Sequence, residues 1–265
     1  MLIAHLSDLH ISAGAPETAP VRLDAPQMAA RVVADLLALP QAPDAVLITG
    51  DVADGGSDAD YALVRDILAP LPMPVFVVPG NHDKRGPMRA AFDSTIPYAA
   101  PDTLHFEAEV AGAHLLGLDS LIPGRVEGAL DTAQLDWLEA RLAVVQGPVF
   151  LLLHHPPFPT GNAHWDASAL RQGGARLAAL LEAHRTPLRL LCGHVHQAFH
   201  SQWAGHYAAV GGSPAFQYGF GFDGTEEPPL SDGPYAYWLH HRRADGSFGV
   251  HPRQVSLPPR GDLAP

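Results

Sequence analysis

Five short apolar runs in this 265-residue chain each end in a cluster of side chains that can bind a metal, and this repetition constrains the fold most. Residues 1–6 lead into Ser7-Asp8-Leu9-His10, and residues 45–49 lead into Gly50-Asp51. Residues 74–78 precede Pro79-Gly80-Asn81-His82-Asp83, and residues 149–153 precede His154-His155-Pro156-Pro157. Residues 188–192 precede Gly193-His194-Val195-His196. Apolar runs this short, bounded by Gly and Pro, read as buried strands. Between them, residues 26–39, 58–68, 131–144 and 170–184 place their apolar side chains at helical spacing, with Asp131 as an N-cap. Strands that alternate with helices predict a layered α/β fold, in which ligands gather beyond the carboxyl ends of the strands. The five clusters would then share one edge of the molecule.

Two pairs of segments read as antiparallel hairpins: 104–110 with 113–118 around Ala111-Gly112, and 199–203 with 206–210 around Ala204-Gly205. Residues 211–234, rich in Gly, Pro and aromatics, read as a long irregular loop. The tail 258–265 reads as frayed. The chain is long enough for one large domain and short for two, so residues 1–257 are expected to form a single domain.

Each cluster alone is an ordinary polar turn; together they describe a chemistry. Asp8 and His10, two apart on extended backbone, share a face and can reach one ion. Asp51 can bridge two ions through its two oxygens, with Asp54 as a supporting group. Asn81 offers a neutral amide oxygen. His82 can bind a phosphoryl oxygen or give a proton to a leaving group, and Asp83 is placed to orient it. Neighbouring strand residues point to opposite faces, so His154 is expected to reach the ion and His155 to lie outside its shell. His194 and His196 complete the set. Seven candidate ligands exceed the four of one structural zinc, and a donor set of N and O only suits Zn, Fe, Mn or Co. Two ions sharing Asp51 fit the count.

The formal net charge is -12. An acidic surface repels nucleic acid and anionic membranes, so neither is an expected partner, and a phosphate substrate must meet local positive charge. Bound metal ions supply it. The lone Cys192 forms no internal disulfide, and the N-terminus has no basic region followed by a cleavage site, so the cytoplasm is the expected setting. No run approaches the ~20 apolar residues of a membrane span.

In order and spacing, DxH, GD, GNHD, HH and GHxH resemble the calcineurin-like metallophosphoesterase family over residues 1–196. The chain is most similar to the bacterial branch of class III cyclic-nucleotide phosphodiesterases and glycerophosphodiesterases. The stretch from His154 through Pro156, Thr160, Gly161 and Asn162 to Asp166 is like the glycerophosphodiesterases. The resemblance implies a four-layer α/β/β/α sandwich with two central mixed sheets. It also implies that Asp8, His10 and His196 bind one ion, that Asn81, His154 and His194 bind the other, and that Asp51 bridges. Phe216 stands where the glycerophosphodiesterase has a His near the substrate, a departure that counts against a glycerol-type substrate, and an apolar ring there suits a nucleobase or another bulky ester. The expected reaction is hydrolysis of small phosphodiesters such as 3',5'-cAMP by a metal-bridging hydroxide, with Asp51 and His82 as catalytic groups and Asn81, His82 and Phe216 contacting substrate. Glycerophosphodiesters or a broad range of diesters are the alternative substrates, and a non-catalytic metal-bound scaffold is the alternative of another kind. Asn162, His164, Trp165, Gln217 and Tyr218 are further pocket candidates by position, and Arg125 reads as a surface residue. The family's habit of assembling through C-terminal segments implies a homodimer or larger homo-oligomer through the aromatic loop.

Overall fold

The structure, a computed structural model, describes residues 1–222, 224 and 226–259. Strand and helix alternate at first: β1 (Leu2–Leu6), α1 (Ala25–Leu37), β2 (Ala45–Thr49), α2 (Asp58–Leu68), β3 (Val75–Val78) and α3 (Arg85–Phe92). A hairpin of β4 (Phe106–Val110) and β5 (Ala113–Gly117) follows, then β6 (Gly128–Ala129), α4 (Thr132–Leu142) and β7 (Val149–Leu152). Next come α5 (Ala163–Ser168), β8 (Leu170–Gln172), α6 (Gly174–Ala183) and β9 (Leu188–Cys192). The last elements are β10 (Phe199–Trp203), β11 (His206–Val210), β12 (Gln217–Tyr218), β13 (Leu230–Ser231), β14 (Tyr235–Arg242) and β15 (Phe248–Val255).

Two mixed sheets form the centre. One is ordered β15-β14-β1-β2-β3, the other β10-β11-β9-β7-β5-β4. In the first, β1, β2 and β3 run parallel while β14 lies antiparallel to β1. In the second, β11, β9, β7 and β5 run parallel and hairpin partners close both edges. A parallel strand covered on both faces has no polar side, which is why the runs 45–49 and 188–192 are buried at every position. The larger core joins α1, α2 and α3 to the first sheet and extends to Phe150, Leu152 and Leu191 on the second. The smaller core packs Leu135 and Leu138 of α4 and Leu177 and Leu181 of α6 against the other face of the second sheet. The layers are therefore α/β/β/α.

Local chemistry sets the helix starts. The Ser57 hydroxyl accepts from the Asp60 amide while the Asp60 carboxylate accepts from the Ser57 amide, a capping box that opens α2. Asp131 caps α4 by accepting from the Gln134 amide. α6 begins later than its apolar spacing predicts. Gly173 adopts a left-handed φ of 85°, and residues 170–172 instead pair with β6.

Three further features depart from the sequence reading. The stretch 211–234 contains the small β12–β13 pair. The β14–β15 hairpin extends the first sheet and was not anticipated. Its partners are distant in sequence, and β14 mixes Tyr, Trp, His and Arg where a clean apolar pattern would have marked a strand. In the tail, the carbonyls of Pro258 and Pro259 accept from the Arg22 guanidinium at 3.0 and 3.5 Å, so those residues are anchored, while 260–265 lie outside the described residues. Among the described residues no helix is long and apolar enough to cross a membrane.

Candidate metal centre

The strand ends do not simply fray into loops. Beyond β1 and β2 the chain stays zipped, with the amides of Asp8, His10 and Ile11 donating to the carbonyls of Gly50, Asp51 and Val52. Seven non-glycine residues have left-handed backbone among the described residues, and five of them are Asp8, His10, Asp51, His194 and His196, at φ of 54°, 44°, 46°, 76° and 50°. The other two, Ala111 and Ala204, sit at hairpin turns. A left-handed non-glycine residue costs about 1–3 kcal/mol and persists only where the surroundings enforce it. Here the surroundings are the two sheets. The Asp8 carboxylate accepts from the His194 amide through both oxygens at 3.1 Å, and the Ser213 hydroxyl donates to the Asp8 carbonyl at 2.6 Å.

All seven candidate donors converge. Asp8, His10, Asp51 and His196 bring one ligand atom each within 4.8 Å of one another. Outer hydrogen bonds fix which nitrogen of each ring is free. His10 Nδ1–H donates to Asp54 Oδ1 at 3.0 Å, and His196 Nδ1–H donates to the Phe216 carbonyl at 3.1 Å. Their Nε2 atoms then face each other at 3.1 Å. Two nitrogen lone pairs at that distance repel unless a positive charge, proton or metal, lies between them. His154 follows the same rule: Nδ1–H donates to the Thr49 carbonyl at 2.7 Å, leaving Nε2 3.2 Å from Asn81 Oδ1 and 3.3 Å from Asp51 Oδ2. His194 Nδ1 lies 3.0 Å from the same Asn81 oxygen. Asp51 stands between the two groups, with Oδ2 also 3.7 Å from His10 Nε2 and Oδ1 accepting from the His82 amide.

The electrostatics agree with the geometry. Burial opposes charge on His154, but the Asp51 carboxylate outweighs it and the imidazole is pushed up to about 9. Burial likewise opposes the rise of His10, and Asp54 and Asp51 overcome it. Burial also works against ionised Asp51, yet the imidazoles of His154 and His82 hold it well below the usual carboxylate range. Burial pushes Asp8 up to about 7. His194 and His196 are driven far below the ordinary imidazole range, by burial first and then by neighbouring rings, so their lone pairs stay available. The cluster thus draws positive charge to its centre while keeping neutral nitrogen donors around it. These N and O donors fit a pair of divalent cations. Cys192 is no part of this: it is buried in the second core, and burial pushes its thiol well up.

His82 sits at the rim, a quarter exposed, with Nδ1 3.2 Å from the Thr18 hydroxyl. Asp83 does not orient it; the carboxylate instead takes the Tyr61 hydroxyl and the amides of Val52, Ala53 and Gly80, because it lies beneath the loop. His155 is satisfied elsewhere: Nδ1 accepts from the Ser120 hydroxyl and Nε2–H donates to the Val126 carbonyl. Phe216 stacks on His196 with ring centres 3.9 Å apart. A cavity of about 580 Å³ opens over the cluster, lined by Asn81, His82, His164, Trp165, Phe216 and Tyr218 among others, Glu127 and Glu227 included. Asn162 and Gln217 do not line it. Asn162 caps α5 and binds the Gly221 carbonyl, and Gln217 donates to the Gly233 carbonyl. Arg125 is exposed and lies 3.7 Å from Glu127. Sequence reasoning missed Ser168, 3.2 Å from His194, and the Thr49 carbonyl, because neither belongs to a motif.

The chain is 32% identical over 206 residues to the glycerophosphodiester phosphodiesterase GpdQ of Enterobacter lignolyticus, covering 77% of this chain and 73% of that protein. It is 39% identical over 161 residues to the 3',5'-cyclic adenosine monophosphate phosphodiesterase CpdA of Pseudomonas aeruginosa, covering 60% and 56%. The fold matches the purple acid phosphatase PPD1 of yellow lupin at a TM-score of 0.67 and 15% identity, over 91% of this chain and 49% of that one. The profile of the calcineurin-like phosphoesterases matches residues 1–198, which takes in all seven donors, and the chain belongs to that family.

Proposed function

We propose that this protein hydrolyses small phosphodiesters, 3',5'-cyclic nucleotides such as cAMP among them, at a two-cation centre. Asp8, His10 and His196 hold one cation, Asn81, His154 and His194 hold the other, and Asp51 serves both. Asp51 Oδ2, lying between His10 Nε2 and His154 Nε2, is the observation that carries this reading. Zn, Fe, Mn and Co all suit the donors. When bound, the cations supply Lewis acidity and lower the pKa of water. The chain's own residues do the rest. Asp51 is kept ionised and pinned by the His82 amide. His82, at the cavity rim, would act as the acid, giving its ring proton to the oxygen that leaves phosphorus and regaining one from solvent. Trp165 and Tyr218, with ring centres 4.8 Å apart, give the ester arm an aromatic wall suited to a nucleobase.

The same cavity favours a second reading, glycerophosphodiesters with a cationic head group, because Glu127 and Glu227 line it and no Lys or Arg does among the described residues. In both readings residues 1–257 act as one catalytic domain. Phe220 and Phe222, at 77% and 68% exposure, support self-association as a homodimer or larger assembly. The lone buried Cys192 suits a reducing, cytoplasmic setting.

The test is turnover of metal-reconstituted protein, beside Asp51→Ala, on bis(p-nitrophenyl) phosphate, p-nitrophenyl phosphate, 3',5'-cAMP and glycerophosphoethanolamine. Metal-dependent diester hydrolysis that Asp51→Ala abolishes supports the reaction, and the ranking of the natural esters chooses the substrate. Two bound cations without turnover on any ester would point to a scaffold instead.

A further inference from the structure

Three of the four ligand imidazoles share one arrangement. His10, His154 and His196 each present Nε2 to the centre, and each anchors Nδ1–H on an acceptor: the Asp54 carboxylate, the Thr49 carbonyl and the Phe216 carbonyl. His194 is reversed. Its Nδ1 faces Asn81 Oδ1 at 3.0 Å, and its Nε2 faces the hydroxyl of Ser168 at 3.2 Å. A serine hydroxyl has one proton, and the Ser168 proton is directed to the Trp165 carbonyl at 3.1 Å. Towards His194 it therefore offers a lone pair, which accepts Nε2–H and leaves Nδ1 unprotonated.

From this we infer that Ser168 is a positioning residue for the second cation, holding His194 in the one tautomer that can bind it. The inference rests on the two-cation reading above. Its physical core is a competition for one proton. Without the Ser168 acceptor, the His194 proton is better placed on Nδ1, where it donates to Asn81 Oδ1 at the distance already present. That single hydrogen bond occupies two ligand atoms of the same cation at once. No other candidate ligand stands in this position, since the outer nitrogens of the other three rings have fixed backbone or buried carboxylate acceptors. Ser168 also ends α5, the short helix that carries Trp165 on the cavity wall. The second cation's geometry is thus set from the wall that the ester arm touches.

The experiment titrates the full chain, stripped of metal, with Co²⁺, following heat and visible absorption for wild type, Ser168→Ala and Ser168→Thr. Wild type is expected to take two equivalents. Ser168→Ala is expected to keep the first and bind the second roughly 10-fold to 100-fold more weakly, with the unfolding temperature of the stripped protein unchanged. Ser168→Thr, which restores the hydroxyl, is expected to restore the second equivalent and its absorption band. Undiminished binding of both equivalents by Ser168→Ala would overturn the inference. Equal weakening of both, or a fall in unfolding temperature, would reduce Ser168 to a packing role and overturn it too. Fewer than two equivalents in wild type would instead remove the two-cation reading itself, and the inference with it.

Discussion

The two sheets bring different chemistry to the same centre. The five-stranded sheet supplies every candidate oxygen donor, Asp8, Asp51 and Asn81, together with His10. The six-stranded sheet supplies only imidazoles, His154, His194 and His196. Each sheet is also held in place by the other. The Asp8 carboxylate rests on the His194 amide, and the His154 ring hangs from the Thr49 carbonyl. Neither half has its geometry alone, so the centre reports directly on how closely the sheets pack.

Asp51→Ala removes the carboxylate that lies between His10 Nε2 of one sheet and His154 Nε2 of the other. We expect kcat/KM on a diester to fall on the order of 10³-fold or more, measured with bis(p-nitrophenyl) phosphate. A loss of only a few fold would mean that the two halves work independently.

Gly193→Ala tests the seam. A Cβ there would run into the Ser7 hydroxyl and come within 2.6 Å of Asp8 Oδ2 and 2.8 Å of the Thr49 carbonyl. Forcing the sheets apart should cost about 1–3 kcal/mol, read as a lower urea midpoint. An unchanged midpoint would show that the first sheet yields where the second presses.

Acid probes the space between the sheets. Burial drives His5 down to about 3, and drives His240 well below the ordinary imidazole range. A depressed histidine contributes full stability above its unfolded pKa of about 6.5 and loses it as pH falls toward the folded value. Stability should therefore decline below about pH 6.5, by ~1.4 kcal/mol per pH unit for each proton taken up by the unfolded chain. Asp8, pushed up to about 7, and Asp83, also raised by burial, titrate in the opposite sense over part of this span. His5→Gln keeps a donor near the Thr49 hydroxyl and should remove about one proton from the slope, measured by urea unfolding across pH. An unaltered slope would assign the acid loss elsewhere.

The smallest effect belongs to the cavity wall. Trp165→Ala should weaken kcat/KM for 3',5'-cAMP by about 1 kcal/mol, roughly fivefold. A substrate without an aromatic arm, such as glycerophosphoethanolamine, should change less. Equal losses on both would remove the stacking role.

Much of this was legible in the sequence, for a local reason. Each donor lies within a few residues of a strand end, so the strand and its ligand are read together. The runs 45–49 and 188–192 and the helix 58–68 matched the observed bounds for the same reason: their signals are contiguous. What stayed hidden depends on distant contacts. Asp83 sits beside His82 in sequence, yet its carboxylate is taken by Tyr61, 22 residues away. Ser168 meets His194 across 26 residues from a six-residue helix with no buried side chain, so no apolar period marked it. The β14–β15 hairpin was missed because β14 pairs with β1 at the opposite end of the chain.

The left-handed backbone at Asp8, His10, Asp51, His194 and His196 has a consequence for how such a protein changes over time. Glycine adopts that backbone without penalty, and Asn, Asp and His enter it more readily than other side chains. A β-branched or bulky apolar replacement at these five positions would therefore lose the donor and strain the turn together, whereas glycine would ease the turn but give up the bonds that tie one sheet to the other, such as Asp8 to the His194 amide. The turns thus narrow the choice of side chain at the centre to the types that can also bind a cation.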